Sequence, residues 1–276
     1  MTASAICTYG ATLLKVDEVY LELGGKTILR DVNLEIKDII IPGRVTGQVV
    51  GLLGPSGIGK TQLFRIMAGL NEPTRGRVLI GERACPVERG MVGVVSQSYP
   101  LFNHRTVLGN LVVAGGRAGL SADAARTKAR DLLERFNLAE HEKKYPVQLS
   151  GGQRQRVAIA QQFMCSEHYL LMDEPFSGLD PIAVDRVSAF VTEVANAHEL
   201  NTIIVVTHDI TAAMTVADTL WLLGRDRDEK GNIIPGARVQ ATYNLIEKGL
   251  AYRTGITSTP EFLALQGEIR ARYASL

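Results

Sequence analysis

Eight consecutive residues, Gly54, Pro55, Ser56, Gly57, Ile58, Gly59, Lys60 and Thr61, fit the spacing G-x-x-x-x-G-K-[ST]. Glycines here let successive backbone N–H groups turn inward around an anion. Lys60 brings an ammonium to the β- and γ-phosphates of a nucleoside triphosphate, and the Thr61 hydroxyl suits Mg²⁺. Gln62 extends the set of candidate phosphate-binding residues. The apolar run Gln48 to Leu53 reads as a strand entering the loop, and a helix follows it to about Leu70. That helix would add unpaired donors and the positive end of its dipole to the cradle. A dinucleotide-type loop is the weaker reading, because the Gly57 to Gly59 stretch lacks the third glycine of that motif.

Two further stretches offer chemistry to a bound triphosphate. Tyr169 to Met172 is an apolar strand that runs into Asp173 and Glu174. If it exits beside the cradle, Asp173 faces the Mg²⁺ shell and Glu174 can hold and deprotonate a water. Alone, two acids at a strand end are more often a solvated loop. The cradle is what gives them a task. Thr207, His208 and Asp209 close the next strand, where parallel sheets bind ligands. This position makes His208 a candidate for the γ-phosphate or the attacking water, whereas His104, His141, His168 and His198 lack such a context. Ser150, Gly151, Gly152 and Gln153 form a small polar opening to a helix, a second anion site by the same N-terminal logic.

The elements that must position these residues are short. Gln48–Leu53, Arg77–Ile80, Met91–Val95, Tyr169–Met172, Thr202–Val206 and Thr219–Leu223 read as strands, several apolar throughout, as in a sheet covered on both faces. Helical patterns between them indicate an α/β fold. Ser121 to Asn137 reads as a capped amphipathic helix and Gly152 to Cys165 as another. The stretch from about 98 to 165 is therefore expected to be a helical subdomain inserted in the core. Val16 to Ile36 alternates around Gly24-Gly25 as an antiparallel hairpin. After Leu223 a charged loop, Arg225 to Asn232, leads to a short strand at Ala237 to Tyr243. A terminal helix follows from Pro260 to Tyr273, capped by Ser258 or Thr259.

In the order cradle, Leu149-Ser150-Gly151-Gly152-Gln153, Asp173-Glu174 and His208, the chain resembles the ABC ATPases, over roughly Val16 to Leu223. The resemblance implies a P-loop NTPase core with a mostly parallel sheet, an N-terminal antiparallel β subdomain and the inserted helical subdomain. Residues 1–224 would be the ATPase domain, and 225–276 a short extension packed on it. It implies Gln97 as the Q-loop glutamine that touches Mg²⁺, and Leu101 to Val107 as the stretch that follows it in importer ATPases. Ser177 to Asp180 becomes the D-loop at a dimer interface. It also implies ATP and Mg²⁺ as cofactors, with Thr61, Gln97 and Asp173 on the metal and Lys60, Glu174 and His208 in the chemistry. Ser150, Gly151, Gly152, Gln153 and Asp180 would act on the partner's nucleotide across a closed dimer. The implied partners are membrane-spanning permease subunits, a second identical ATPase subunit and optionally a solute-binding protein. The implied location is the cytoplasmic face of the cell membrane.

Four departures stand out. Leu23 occupies the place of the adenine-stacking aromatic, with Tyr20 expected on the opposite strand face. Gln62 replaces the second hydroxyl residue after Lys60. Ala160-Gln-Gln-Phe163 replaces the usual continuation of the signature helix, and Lys37 to Thr46 is longer than usual.

Composition narrows the alternatives. The 276 residues are 46% apolar and 21% charged, enough for a sizeable core. With 30 Lys and Arg against 29 Asp and Glu, the net charge of +1 gives no sign of a nucleic-acid-binding protein. The rival reading, an ABC ATPase working on DNA or ribosomes, would call for a coiled coil, zinc cysteines or two ATPase halves, and none is legible. Cys7, Cys85 and Cys165 are scattered and suit neither disulfides nor zinc. No apolar run is long enough to span a bilayer. Import of a small solute is the favoured direction, with export or lipid movement as alternatives.

Overall fold

A computed structural model describes residues 7–41, 47–96, 99–166, 168–198, 201–252 and 255–276. The chain begins with two long strands, β1 (Thr8–Leu23) and β2 (Lys26–Ile40), followed by β3 (Gln48–Leu53) and helix α1 (Lys60–Met67). Strands β4 (Arg75–Ile80), β5 (Cys85–Pro86) and β6 (Gly93–Val95) precede three helices, α2 (Val107–Arg117), α3 (Ala122–Arg135) and α4 (Gly151–Phe163). The core resumes with β7 (Tyr169–Asp173), α5 (Pro181–Asn196), β8 (Thr202–Thr207), α6 (Ile210–Val216), β9 (Thr219–Arg227) and β10 (Ile233–Asn244), and ends in α7 (Pro260–Ser275).

The strands form one ten-stranded mixed sheet in the order β5-β4-β1-β2-β10-β9-β3-β8-β7-β6. From β9 to β6 the neighbours run parallel. The β1–β2 hairpin extends beyond the expected span, with Thr8 opposite Ile40, and turns through Gly24 and Gly25, both at positive φ. The far end of the expected long connection, residues 42–46, lies outside the described residues.

Two expectations change. The Arg77–Ile80 stretch, grouped with the buried strands, pairs antiparallel with β1, and three of the six β4 residues are exposed. The charged stretch after Leu223 is not all loop: Arg225, Asp226 and Arg227 continue β9. The reason is ionic. Asp226 accepts from Arg30 of β2 and from Arg238 and Gln240 of β10. These contacts hold the charged residues in the ladder.

Central strands alternate between two cores. Val50 and Leu52 of β3 face one cluster with Leu63, Phe64, Ile66 and Met67 of α1 and the inner face of the hairpin. Val49, Ile203 and Val205 face the other, with Leu111, Ala129, Leu133, Val157 and Phe190. A third cluster joins Leu53, Ala213, Leu220 and Leu222 to Phe262, Leu265 and Ile269 of α7. The C-terminal segment thus shares a core with Leu53, at the end of the cradle strand.

Phe262 is almost wholly buried there. Removing a buried Phe side chain leaves a cavity that typically costs about 3–5 kcal/mol. Phe262→Ala should lose about that much stability in a urea titration, with one cooperative transition. A separate early transition would mean that the segment after Leu223 folds independently.

Candidate functional site

The parallel register brings the chemistry together. Leu53, the last residue of β3, lies beside Thr207 of β8, and Val206 lies beside Asp173 of β7. Three strand ends therefore deliver the cradle, the acidic pair and His208 to one edge of the sheet.

The loop from Gly54 to Gly59 needs its glycines for distinct reasons. A side chain on Gly54 would place its Cβ 2.7 Å from the Leu223 carbonyl oxygen, so β3 could not leave the sheet so tightly against β9. Gly57 (φ 75°) and Gly59 (φ 117°) adopt left-handed backbone that other residues rarely reach. Ile58 is buried, while Ser56 and Gly57 face solvent. Lys60 Nζ folds back over the loop and donates to the carbonyls of Gly54 at 2.6 Å and Pro55 at 3.1 Å.

The N-terminus of α1 differs from the others. Helices α2 to α7 carry side-chain N-caps, from Thr106, Ser121, Ser150, Asp180, Asp209 and Thr259. Gly59 supplies none to α1. Its first turn also lacks an acidic residue. An anion can take the place of the missing cap.

Lys60, Asp173 and Glu174 act on one another electrostatically. Burial pulls the Lys60 ammonium below its ordinary pKa, and the two carboxylates pull it back up. Burial also pushes the Asp173 carboxyl up, Glu174's charge adds to that, and Lys60 opposes it. Two acids stand next to one cation, so the site favours an added positive charge.

Glu174 takes a left-handed conformation with φ 49°, uncommon for a residue with a side chain. Its amide donates to Val206 O at 2.8 Å. Its carboxylate accepts from Thr207 Oγ1 at 2.9 Å and pairs with His208 Nδ1 at 2.9 Å. His208 is half exposed and Glu174 mostly covered. The Thr207 hydroxyl also accepts from the Asp209 amide at 3.1 Å. Sequence reasoning had passed over Thr207, although a hydroxyl residue ending a buried strand beside a candidate histidine could have flagged it. From α7, Tyr273 comes within reach of the same place. Burial first, then Glu174's charge, pushes its phenol up to about 12, and a backbone contact at Gly54 opposes the shift. Nothing in the terminal helix pattern pointed to that contact.

Several expected contacts are engaged elsewhere. Gln62 gives its amide to Gly59 O, and its side-chain oxygen accepts from Asn71 Nδ2 at 3.2 Å. That bond ties the side chain to the loop after α1. Gln153 closes a capping box with Ser150 and meets His141 Nε2 at 2.8 Å, so its side chain serves its own helix start. Ser150, Gly151 and Gly152 are exposed on a groove of about 890 Å³, shared with Leu101, Arg186 and Phe190. Asp180 caps α5 through Ala183 N at 2.9 Å and is exposed. Gln97 lies outside the described residues. Leu23 is exposed and Tyr20 lies under the Arg75 guanidinium, 5.4 Å from its ring centre.

Strand, glycine loop, uncapped helix and an acid-tipped strand one place removed in the sheet define a P-loop nucleotide-binding domain. Residues 44–177 match the family described as ABC transporter. The chain is 38% identical over 224 residues to the sulfate/thiosulfate import ATP-binding protein CysA 2 of Rhizobium meliloti (strain 1021), a match covering 79% of this chain and 59% of that protein. It is 35% identical over 228 residues to the L-cystine transport system ATP-binding protein TcyN of Escherichia coli (strain K12), covering 78% of this chain and 87% of that one. The solved structure of cbiO1 from Clostridium perfringens, part of the ABC transporter complex cbiONQ, matches with a TM-score of 0.71 at 26% identity, over 95% of this chain and 99% of that chain. The chain belongs to the ABC transporter family, among its ATP-binding members. It spans about three fifths of the length of the sulfate/thiosulfate relatives it matches.

Gly54→Ala should cost about 1–3 kcal/mol, the usual penalty for forcing extra volume into a packed site. Chemical denaturation beside the wild type measures it. An unchanged midpoint would mean that β3 and β9 can part without loss.

Proposed function

We propose that this protein is the ATP-hydrolysing subunit of an ABC transporter that imports a small solute. In this reading it works as a homodimer on the cytoplasmic face of a membrane, docked on membrane-spanning permease subunits. A solute-binding protein delivers the cargo in systems that have one. The observation that carries the reading is the sheet register that puts Lys60, Asp173, Glu174 and His208 at one strand edge. The printed functions of the relatives, import of sulfate or thiosulfate and transport of L-cystine, support a small solute. No helix among the described residues is long and apolar enough to cross a membrane. Residues 1–224 are the ATPase domain, with its helical subdomain at about 98–165, and 225–276 are an extension packed on it.

The phosphates of ATP lie in the loop from Gly54 to Thr61, against the uncapped start of α1. Lys60 leaves the Gly54 and Pro55 carbonyls for the β- and γ-phosphates. Glu174 holds the attacking water and accepts its proton, and His208 steadies the carboxylate and the γ-phosphate. Thr207 keeps that carboxylate in place from the strand side. Ser150, Gly151, Gly152 and Asp180 meet the partner subunit's nucleotide when the dimer closes.

The residues fit Mg²⁺. Thr61 and Asp173 are hard oxygen donors, and the raised pKa of Asp173 marks a carboxylate in want of a cation. Thr61 and Asp173, with Gln97, would hold it. Bound there, Mg²⁺ neutralises charge on the phosphate oxygens.

Lys60→Ala should lower kcat for ATP hydrolysis by about 10²–10³-fold, the usual effect of deleting one donor to transition-state charge. A steady-state assay showing undiminished turnover would remove Lys60 from the chemistry. Glu174→Gln should bind ATP, stall and accumulate as a dimer in light scattering. A strictly monomeric variant at saturating ATP would count against closure around the nucleotide. Co-purification of the tagged wild type from gently solubilised native membranes tests the transporter assignment. A stoichiometric polytopic membrane protein supports it, and its absence refutes it.

A further inference from the structure

The turn that carries Glu174 is held on three sides, and only two are accounted for above. Its amide is bonded to β8, and its carboxylate is bonded to Thr207 and His208. The third side is the carbonyl of Pro175, which is buried immediately after Glu174. Tyr99 reaches it: the phenol Oη donates to Pro175 O at 3.3 Å. The Tyr99 phenol oxygen in turn accepts from Gln155 Nε2 at 2.8 Å. Gln155 is buried on α4, four residues after the exposed Gly151 of the signature. One hydroxyl therefore bonds both the signature helix and the acidic turn.

The support behind Tyr99 is stiff. Its ring packs on the helical-side core. The loop that follows it is fastened by Asn110, a fully buried side chain in α2. Asn110 Oδ1 accepts from Phe102 N at 2.7 Å, and its Nδ2 donates to the carbonyls of Phe102, Arg105 and Thr106. Tyr99 itself sits at φ 44°. Glu174 also has a positive φ, a conformation that persists only when its surroundings over-determine it. Pro175 has a ring-locked φ, so fixing its carbonyl fixes the exit of the turn and leaves Glu174 little freedom. Ser177 N closes the turn on Glu174 O at 3.2 Å. Burial pushes the Tyr99 phenol up to about 12, so it keeps its proton and its donor role over the working pH range.

We propose that Tyr99 is a positioning residue: its hydroxyl, bridging Gln155 of the signature helix and the Pro175 carbonyl, sets the Glu174 carboxylate for the attacking water. The proposal rests on the ATPase reading. It makes the placement of α4 and the placement of the base one mechanical unit. A shift of the signature helix would be felt at Glu174 through two hydrogen bonds, without any change in the phosphate loop.

Tyr99→Phe keeps the ring and deletes the hydroxyl. The expected result is a kcat lowered about tenfold, with the KM for ATP and the melting temperature near wild type. Hydrogen exchange should quicken in residues 174–179. Gln155→Leu should lower kcat less, and in the double variant the two losses should not add, because both act through one oxygen. A wild-type kcat in Tyr99→Phe, additive losses, or unchanged exchange at 174–179 would each overturn the positioning role while leaving the ATPase reading intact. If the wild-type chain hydrolyses ATP no faster than Lys60→Ala, the ATPase reading falls and the positioning role falls with it.

Discussion

The site depends on the in-register parallel pairing of β7, β8 and β3. Side chains alternate every residue along a strand, so a slip of one position would send each strand-end group to the opposite face. Register is enforced by burial on both faces. Val50, Leu52, Ile204 and Val206 fill one core, and Val49, Ile203 and Val205 fill the other. A shift would move every one of these side chains into the wrong packing environment. The accuracy with which Asp173, Glu174 and His208 meet the phosphate loop is thus a product of core packing.

That edge also concentrates unresolved electrostatics. Most helix starts in the chain are closed by their own side chains, and the start of α1 is not. Lys60 satisfies itself on two loop carbonyls, and the neighbouring carboxyl of Asp173 is held above its ordinary range by burial and by Glu174. Each of these groups would gain from a polyanion accompanied by a divalent cation. These groups sit inside a frame too well packed to collapse onto them.

The periphery is tied into that frame. Phe262, Leu265 and Ile269 of α7 share a core with Leu53, the residue before the loop. Gln266 of α7 donates to Thr211 of α6, just beyond the His208 turn. On the other flank Asn110 and Tyr99 join the inserted helices to the acidic turn. Both flanks are therefore joined to the strand ends that carry the site through specific contacts.

Much of this was legible before any coordinates. The glycine loop, the strand with its two acids, the signature stretch and the order in which they come are local patterns, and local patterns survive in a linear sequence. The caps Ser121 and Thr259 and the apolar face of α3 were equally readable, because capping and amphipathicity involve neighbours within a turn or two. What the sequence could not decide was long-range partnership. Arg225 to Arg227 looked like loop until Asp226 found Arg30, almost two hundred residues away. That Gln62 bonds Asn71 and Gln153 meets His141 was equally unreadable. Thr207, Tyr99 and Gln155 had no role assigned from the sequence. Their meaning comes from one hydroxyl or amide reaching a backbone or carboxylate oxygen across the fold, and hydrogen bonds between residues distant in sequence leave no periodicity to read.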